Sequence, residues 1–371
     1  VRILEICTTI GPGGIQRHAL DLGAWLSARG HTVAYAGAPH AWFKKNDPLY
    51  LCLRTDLVSW EGGSILKRVS ALPGATLTLR RYLAAMKFDL IHAHESAPAI
   101  VARLADPLRR LPLIVTYHGS EPERVGQFAK IAQATANVVV TPGGRCGEDL
   151  AAAGLDRDKL KVIGLGVKPA AAGDKAKAAL LRQSLLGDGR FLVVTVARLA
   201  HQKGIDILVD VARRVREKIP GARFAVIGDG PMRDKVSGWA DAAGVSDIVH
   251  FVGESSAVGD YLAAGDAFLL TSRWEALPVT IVEAFRARLP VIASDCGGIA
   301  EIVDGSVGAV TPIGDAQAAA DAVIALASDE ALRRRKGDAA YARAAEPRFS
   351  PDHVHGVFER LYEETIRDFK R

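Results

Sequence analysis
The chain has 371 residues, 49% of them hydrophobic and 24% charged, with 47 Lys and Arg against 42 Asp and Glu. That length suits two domains of ordinary size, and the composition is that of a globular protein. Cys7, Cys52, Cys146 and Cys296 are scattered without a close pair, which excludes reading a zinc site or a disulfide framework from them. No run of 18 apolar residues is present, and the start lacks a basic segment followed by a sustained apolar one, so a cytosolic protein is expected.

Strand and helix patterns alternate along the chain, which predicts parallel sheets covered on both faces. Arg2 to Cys7 is a short apolar strand, Ile15 to Arg29 an amphipathic helix closed by Gly30, and His31 to Gly37 a second strand. Between Ser64 and Lys87, the residues Ile65, Val69, Leu72, Leu79, Leu83 and Met86 fall on one helical stripe interrupted by Pro73-Gly74. Leu90 to His94, Leu113 to Tyr117 and Val138 to Thr141 continue the strand pattern. A small-residue stretch from Pro169 to Ala178 has no strand character and is read as the linker. Phe191 to Val196, Phe224 to Ile227, Val249 to Val252, Ala267 to Thr271 and Pro290 to Ser294 restart the alternation. The expected fold class is α/β, with two doubly wound, Rossmann-like domains over residues 1–168 and 169–351 facing each other across a cleft. An amphipathic helix from about Asp352 to Phe369 ends the chain.

Ligands of open α/β sheets bind at the carboxyl ends of the strands, where the free amides of a helix N-terminus hold phosphate. Ser272-Arg-Trp-Glu-Ala-Leu-Pro-Val-Thr-Ile-Val-Glu283 sits at such a hand-over, with Glu275 in the loop and Glu283 about one turn into the helix. A carboxylate there would repel a phosphate unless it served another part of the ligand, such as the vicinal hydroxyls of a sugar or ribose. The plain alternative is a solvated loop charge and a solvated helix residue. Gly11, Gly13 and Gly14 lie between the first strand and helix, and let backbone amides approach a ligand. They do not form a dinucleotide fingerprint, whose third glycine would fall at Gln16. Asp156-Arg-Asp158 looks like the Asp-x-Asp signature of metal-dependent glycosyltransferases, but it lies between a helix and a strand among basic residues and is read as a solvated loop. His92 and His94 share one face of a strand with no third ligand evident, and are read as core or cleft lining.

Four segments in order carry a family resemblance: Gly11-Pro-Gly-Gly-Ile-Gln-Arg-His, Val196-Ala-Arg-Leu-Ala-His-Gln-Lys-Gly, Gly228-Asp-Gly-Pro, and the Glu275/Glu283 element with seven residues between its carboxylates. With these the chain resembles the retaining glycosyltransferases of family 4, glycosyl transferases group 1, over nearly its whole length. The resemblance implies the GT-B fold, in which residues 352–371 cross back to brace the first domain. It implies a hexose transferred from a nucleoside diphosphate with retention of the α-configuration. By the same resemblance Arg198 and Lys203 stabilise the departing diphosphate, and His118 lies against the donor sugar. Glu275 binds its hydroxyls, the Val279 and Thr280 amides meet the diphosphate, and Glu283 takes the ribose diol. Gly13, Gly14, Gly230, Val252, Ala276 and Leu277 complete the donor site, and Gln16 is the acceptor candidate. Ala276 departs from the family's usual glycine after the first Glu, which leaves the sugar's identity open. No metal or other cofactor is expected. A UDP-sugar is the favoured donor, with GDP-mannose next because the Gly-Gly-Ile-Gln opening resembles lipid mannosyltransferases. The competing readings are a nucleotide-sugar 2-epimerase of the same fold and a non-catalytic sugar-nucleotide-binding protein.

Charge is unevenly shared. Through Lys168 there are 21 Lys and Arg against 14 Asp and Glu; beyond it there are 26 against 28. The basic pairs Lys44-Lys45, Lys67-Arg68, Arg80-Arg81 and Arg109-Arg110 all lie in the first part, as does the Trp42-Phe43-Lys44-Lys45 cluster. This predicts an anionic partner for the first domain, either a membrane surface, which would be the inner face of the cytoplasmic membrane, or a phosphorylated acceptor; the acceptor itself is expected to be a glycan or lipid-linked. Nucleic acid is not expected, since aromatics are only 6% and no recognition motif accompanies the charge.

Overall fold
A computed structural model describes residues 1–10, 13–39, 47, 49–58, 64–169 and 174–371. The chain divides into two compact units, residues 1–166 with 350–371 and residues 167–349. Gly11, Pro12, the Trp42-Phe43-Lys44-Lys45 cluster and residues 170–173 of the expected linker lie outside the described residues.

The first unit runs β1 (Arg2–Thr9), α1 (Gly14–Ala28), β2 (Thr32–Ala38), β3 (Tyr50–Cys52), α2 (Ile65–Met86), β4 (Leu90–His94), α3 (Ser96–Ala105), β5 (Leu113–Thr116), α4 (Pro122–Thr135), β6 (Val138–Thr141), α5 (Gly144–Ala152) and β7 (Leu160–Val162). Its seven strands are hydrogen-bonded in the order β3-β2-β1-β4-β5-β6-β7, all parallel. The second unit runs α6 (Lys175–Leu186), β8 (Phe191–Val196), α7 (Ile205–Lys218), β9 (Ala222–Ile227), α8 (Arg233–Ala242), β10 (Val249–Gly253), α9 (Val258–Ala264), β11 (Ala267–Leu270), α10 (Val279–Arg286), β12 (Val291–Ser294), β13 (Gly308–Thr311), α11 (Ala316–Ser328) and α12 (Glu330–Arg343). Its six parallel strands follow the order β10-β9-β8-β11-β12-β13. Both are the Rossmann order, and each has a switch point where successive crossovers turn in opposite directions: between β1 and β4, and between β8 and β11.

The chain then returns to the first unit as α13 (Pro351–Phe369). Ser350 caps this helix by accepting the His353 N–H, and Pro351 supplies the fixed φ of a first helical residue. Its apolar face, Val354, Phe358, Leu361 and Tyr362, joins Ile3, Leu22, Leu26, Leu90 and Ile114 in one core. At its rim Trp25 Nε1 donates to Asp352 Oδ1 at 2.9 Å, and Arg29 Nε to Glu359 Oε1 at 2.9 Å.

The stripe read along 65–86 splits in two. Leu79 is buried and Leu72, Leu83 and Met86 are half-buried, so the C-terminal part carries the packed face, and the helix packs chiefly against α3. Ile65, Leu66 and Val69 are 71%, 82% and 60% exposed. Pro73 lies inside the continuous helix; the two-residue interruption expected at Pro73-Gly74 does not break it.

Candidate active site
In the second unit the loops leaving β8 and β11 straddle the switch point and are stitched together. Thr271 Oγ1 donates to the Gly204 carbonyl at 2.9 Å, Arg273 N–H to the Gln202 carbonyl at 2.7 Å, and Gln202 Nε2 to the Trp274 carbonyl at 2.9 Å. Arg273 also grips Asp206 through two bonds of 2.9 and 2.6 Å. Burial raises the Asp206 carboxyl, but the Arg273 guanidinium outweighs it and holds the group below its usual range. Gly204, at φ 59°, is required here: a Cβ would stand 2.1 Å from the Thr271 carbonyl oxygen.

This stitching places Lys203 against Glu275. The ammonium Nζ and carboxylate Oε1 form a hydrogen-bonded ion pair, with side chains 18% and 7% exposed. Ser272 Oγ donates to the same Oε1 at 2.7 Å, and Gln202 Nε2 reaches Oε2 at 3.5 Å. Ala276 and Leu277 are buried beside them, and the Ala276 carbonyl accepts the Gly298 N–H at 2.7 Å. Gly297, at φ 51°, lets that loop approach, since a Cβ would meet the Glu275 carbonyl oxygen at 1.9 Å.

Pro278 precedes α10 and no side chain caps the helix, so the first-turn amides of Val279 and Thr280 have no intrahelical acceptor. Glu283 follows on the same helix and is buried. Arg198 is exposed on the loop after β8, where Leu199 N–H donates to the Asp229 carbonyl at 3.0 Å and ties it to Gly228-Asp-Gly-Pro. Gly230 packs against Leu199, whose carbonyl oxygen a Cβ would meet at 2.6 Å. Val252 in β10 neighbours this group through Gly253, whose carbonyl accepts the Gly228 N–H at 2.8 Å.

In the first unit Gly13 and Gly14 open α1 after β1, both exposed, and Gln16 Nε2 donates to Thr9 Oγ1 at 3.3 Å. His118 follows β5 two residues past its end, in contact with a buried polar cluster. His94 Nδ1 lies 2.9 Å from His118 Nε2, and His94 Nε2 lies 2.8 Å from Glu5 Oε2. His92 Nδ1 lies 2.6 Å from Tyr362 Oη, and Tyr362 donates to Glu5 Oε1 at 3.1 Å; Thr116 Oγ1 is 2.7 Å from His92 Nε2. His18 packs its ring 6.1 and 6.2 Å from those of His94 and His118.

Glu5 corrects the expectation that His92 and His94 had no third companion: the three side chains offer ligand atoms within 4.8 Å of one another, all fully buried. The alternation of β4 puts the two histidines on one face, and β1 brings Glu5 beside them. Burial raises the Glu5 carboxyl, yet the charge and hydrogen bond of His92 and the bond from His94 overcome this and hold it well below its usual range. Burial pushes His94 and His118 down, and His18 down to about 3. Asp156 and Asp158 are both exposed, and Asp156 Oδ1 accepts the Asp158 N–H at 3.0 Å to cap a single helical turn.

The second unit therefore brings Arg198, Lys203, Gly230, Val252, Glu275, Ala276, Leu277, Val279, Thr280 and Glu283 to the carboxyl edge of its sheet, and the first unit brings Gly13, Gly14, Gln16 and His118 to its own. Sequence reasoning missed Ser272, Gln202 and Glu5. The signal for Glu5 was present, a carboxylate in the middle of an otherwise apolar strand.

Residues 12–171 match the family described as Glycosyltransferase Family 4, and residues 177–343 match Glycosyl transferases group 1. Phosphatidyl-myo-inositol mannosyltransferase of Mycobacterium tuberculosis is 26% identical over 367 residues, 95% of this chain and 93% of that protein. Alpha-D-kanosaminyltransferase of Streptomyces kanamyceticus is 31% identical over 196 residues, so the match spans about half the length of that relative, 51% of each chain. Among solved structures, Anabaena HepE in complex with UDP and glucose has a TM-score of 0.81 at 21% identity, covering 97% of this chain and 99% of that one. The likeness is one of fold, the GT-B architecture of two Rossmann-like units.

Proposed function
From the premise that the chain belongs to the family 4, group 1 glycosyltransferases, we propose that it is a retaining hexosyltransferase. It takes a hexose from a UDP-sugar, with GDP-mannose the second candidate, and passes it with retained α-configuration to a glycan or lipid-linked acceptor. The observation that carries this is the Lys203–Glu275 pair at the β8/β11 switch point, beside the uncapped N-terminus of α10.

A departing nucleoside diphosphate gains negative charge as the glycosidic bond breaks, and fixed cations and oriented amides stabilise that charge. Arg198, Lys203 and the Val279 and Thr280 amides supply both. In the free protein Lys203 and Ser272 hold Glu275 in place; a bound diphosphate offers Lys203 a second anion and frees Glu275 to accept from sugar hydroxyls. Glu283 takes the ribose diol. His118 meets a hydroxyl of the donor sugar, and Gln16 faces the acceptor. These cations leave a divalent metal no evident task, and Asp156 and Asp158 serve a surface turn.

The first unit works at a membrane surface. Ile65, Leu66 and Val69 stand exposed at one end of α2 with Lys67 and Arg68 among them, on the part of the chain that carries the basic excess. Among the described residues no helix is long and apolar enough to cross a membrane.

The test is a panel of UDP-glucose, UDP-galactose, UDP-N-acetylglucosamine and GDP-mannose, read by thermal stabilisation and by slow hydrolysis. One UDP-sugar should raise the midpoint at millimolar concentration and be hydrolysed. Stabilisation by GDP-mannose alone would correct the base, and no response to any nucleotide sugar would overturn the transferase reading.

A further inference from the structure
The buried cluster beneath His118 contains more than packing requires. Glu5, on β1, is fully buried and ionised, so it can only accept hydrogen bonds. His94 Nε2, at 2.8 Å from Glu5 Oε2, therefore carries a proton. His94 is neutral because burial disfavours its charged form, which leaves Nδ1 as a lone pair. The 2.9 Å contact between that lone pair and His118 Nε2 is then a hydrogen bond only if His118 donates. A neutral His118 protonated at Nε2 has its lone pair at Nδ1. Among the described residues no hydrogen bond uses that Nδ1.

The rest of the cluster packs further hydrogen-bonding groups around Glu5. Tyr362 donates its hydroxyl to Glu5 Oε1, its oxygen lies 2.6 Å from His92 Nδ1, which is also 3.1 Å from Glu5 Oε2, and His92 Nε2 lies 2.7 Å from Thr116 Oγ1. His18, held neutral by burial, adds no charge beside the two rings.

We propose that Glu5 and His94 are positioning residues that fix His118 as its Nε2–H tautomer, so that Nδ1 is the acceptor presented to a hydroxyl of the donor sugar. The chain from β1 through β4 to the loop after β5 sets which atom His118 offers. This rests on the reading that His118 meets the donor, but the tautomer itself can be measured without donor or acceptor.

The experiment is long-range ¹H–¹⁵N correlation on the full chain labelled with ¹⁵N-histidine, with His118 assigned by the signal lost in His118→Asn. The expected spectrum at neutral pH shows His118 and His94 both neutral and both protonated at Nε2. A His118 protonated at Nδ1, or a cationic His94, would overturn the proposal while leaving the transferase reading intact. Two variants separate tautomer control from shape. His94→Asn keeps an acceptor where Nδ1 stood, whereas His94→Phe keeps the ring and loses it. Turnover should survive in His94→Asn within a few-fold and fall on the order of tenfold or more in His94→Phe, the effect of one lost hydrogen bond, with His118 then sampling both tautomers. The opposite ranking, Phe better than Asn, would reduce His94 to packing. Glu5→Leu should likewise release both rings to mixed tautomers; an unchanged spectrum would remove Glu5 from the relay.

Discussion

Lys203→Ala and Glu275→Ala remove opposite ends of one ion pair, and the structure predicts unequal costs. Losing Lys203 strands a carboxylate whose side chain is 7% exposed, with Ser272 at 2.7 Å and Gln202 at 3.5 Å as its remaining donors. Breaking a buried pair this way costs about 3–5 kcal/mol when nothing compensates; with one good donor left and Lys203 itself 18% exposed, about 2–3 kcal/mol is expected. Losing Glu275 strands an ammonium that can rehydrate, at about 1 kcal/mol. For a unit of this size each kcal/mol moves the melting midpoint by roughly 2–4 °C, so Lys203→Ala should melt roughly 5–10 °C below the wild type and Glu275→Ala roughly 2–4 °C below. The double variant should sit near Glu275→Ala, because the stranded carboxylate is gone. Both single variants should lose turnover by roughly a hundredfold or more. Calorimetry paired with a transfer assay reads both quantities. Lys203→Ala melting like the wild type with turnover within a few-fold would refute the pair as the centre of the site.

Transfer should continue in excess EDTA, measured as product formed with and without chelator; loss of activity restored by manganese would return Asp156 and Asp158 to consideration. The full chain should co-sediment with anionic vesicles at low salt, and less so with neutral vesicles or at high salt. Ile65→Ser with Leu66→Ser should weaken that binding, and equal, negligible sedimentation in every condition would favour an acceptor away from the membrane. Stability of the first unit should fall as the solution is acidified. His18 takes a proton at about 6.5 when unfolded and only at about 3 when folded, so between those values the unfolded chain binds more protons. Its share is about 1.4 kcal/mol per pH unit in that window, His94 and His118 add in the same direction, and Glu5 adds a loss only below its ordinary value of 4.5. Urea midpoints between pH 7 and pH 5 check this. His18→Leu should flatten the slope, and stability rising on acidification would show the histidines charged in the fold.

The alternation of apolar runs made both sheets legible, because strands buried on both faces read as continuous Val, Ile and Leu. Three strands escaped: Tyr50–Cys52 and Leu160–Val162 are three residues long, too short to show a period, and Gly308–Thr311 holds only Ala309 and Val310 as apolar residues after its opening glycine. The positions of Lys203 and Glu275 followed from strand ends, but their contact depends on Thr271, Gln202 and Gly204 tying two loops 70 residues apart, which no local pattern encodes. Glu5 was visible as an oddity in β1, but its partners come from β4 and α13, and only the sheet order joins them. The α2 stripe reads as one face, yet its first members Ile65 and Val69 are exposed, with Leu66 beside them, while Leu79 is buried.

The proposed function turns on transfer of a hexose with retention from a nucleoside diphosphate held in the second unit. The most direct measurement is ¹H NMR of the first product formed from an α-linked UDP-hexose and a lipid-linked or glycan acceptor in the presence of EDTA. A new α-anomeric signal should grow with released UDP, and be absent with Lys203→Ala. A β-anomeric product, or an epimerised donor with no acceptor consumed, would contradict it.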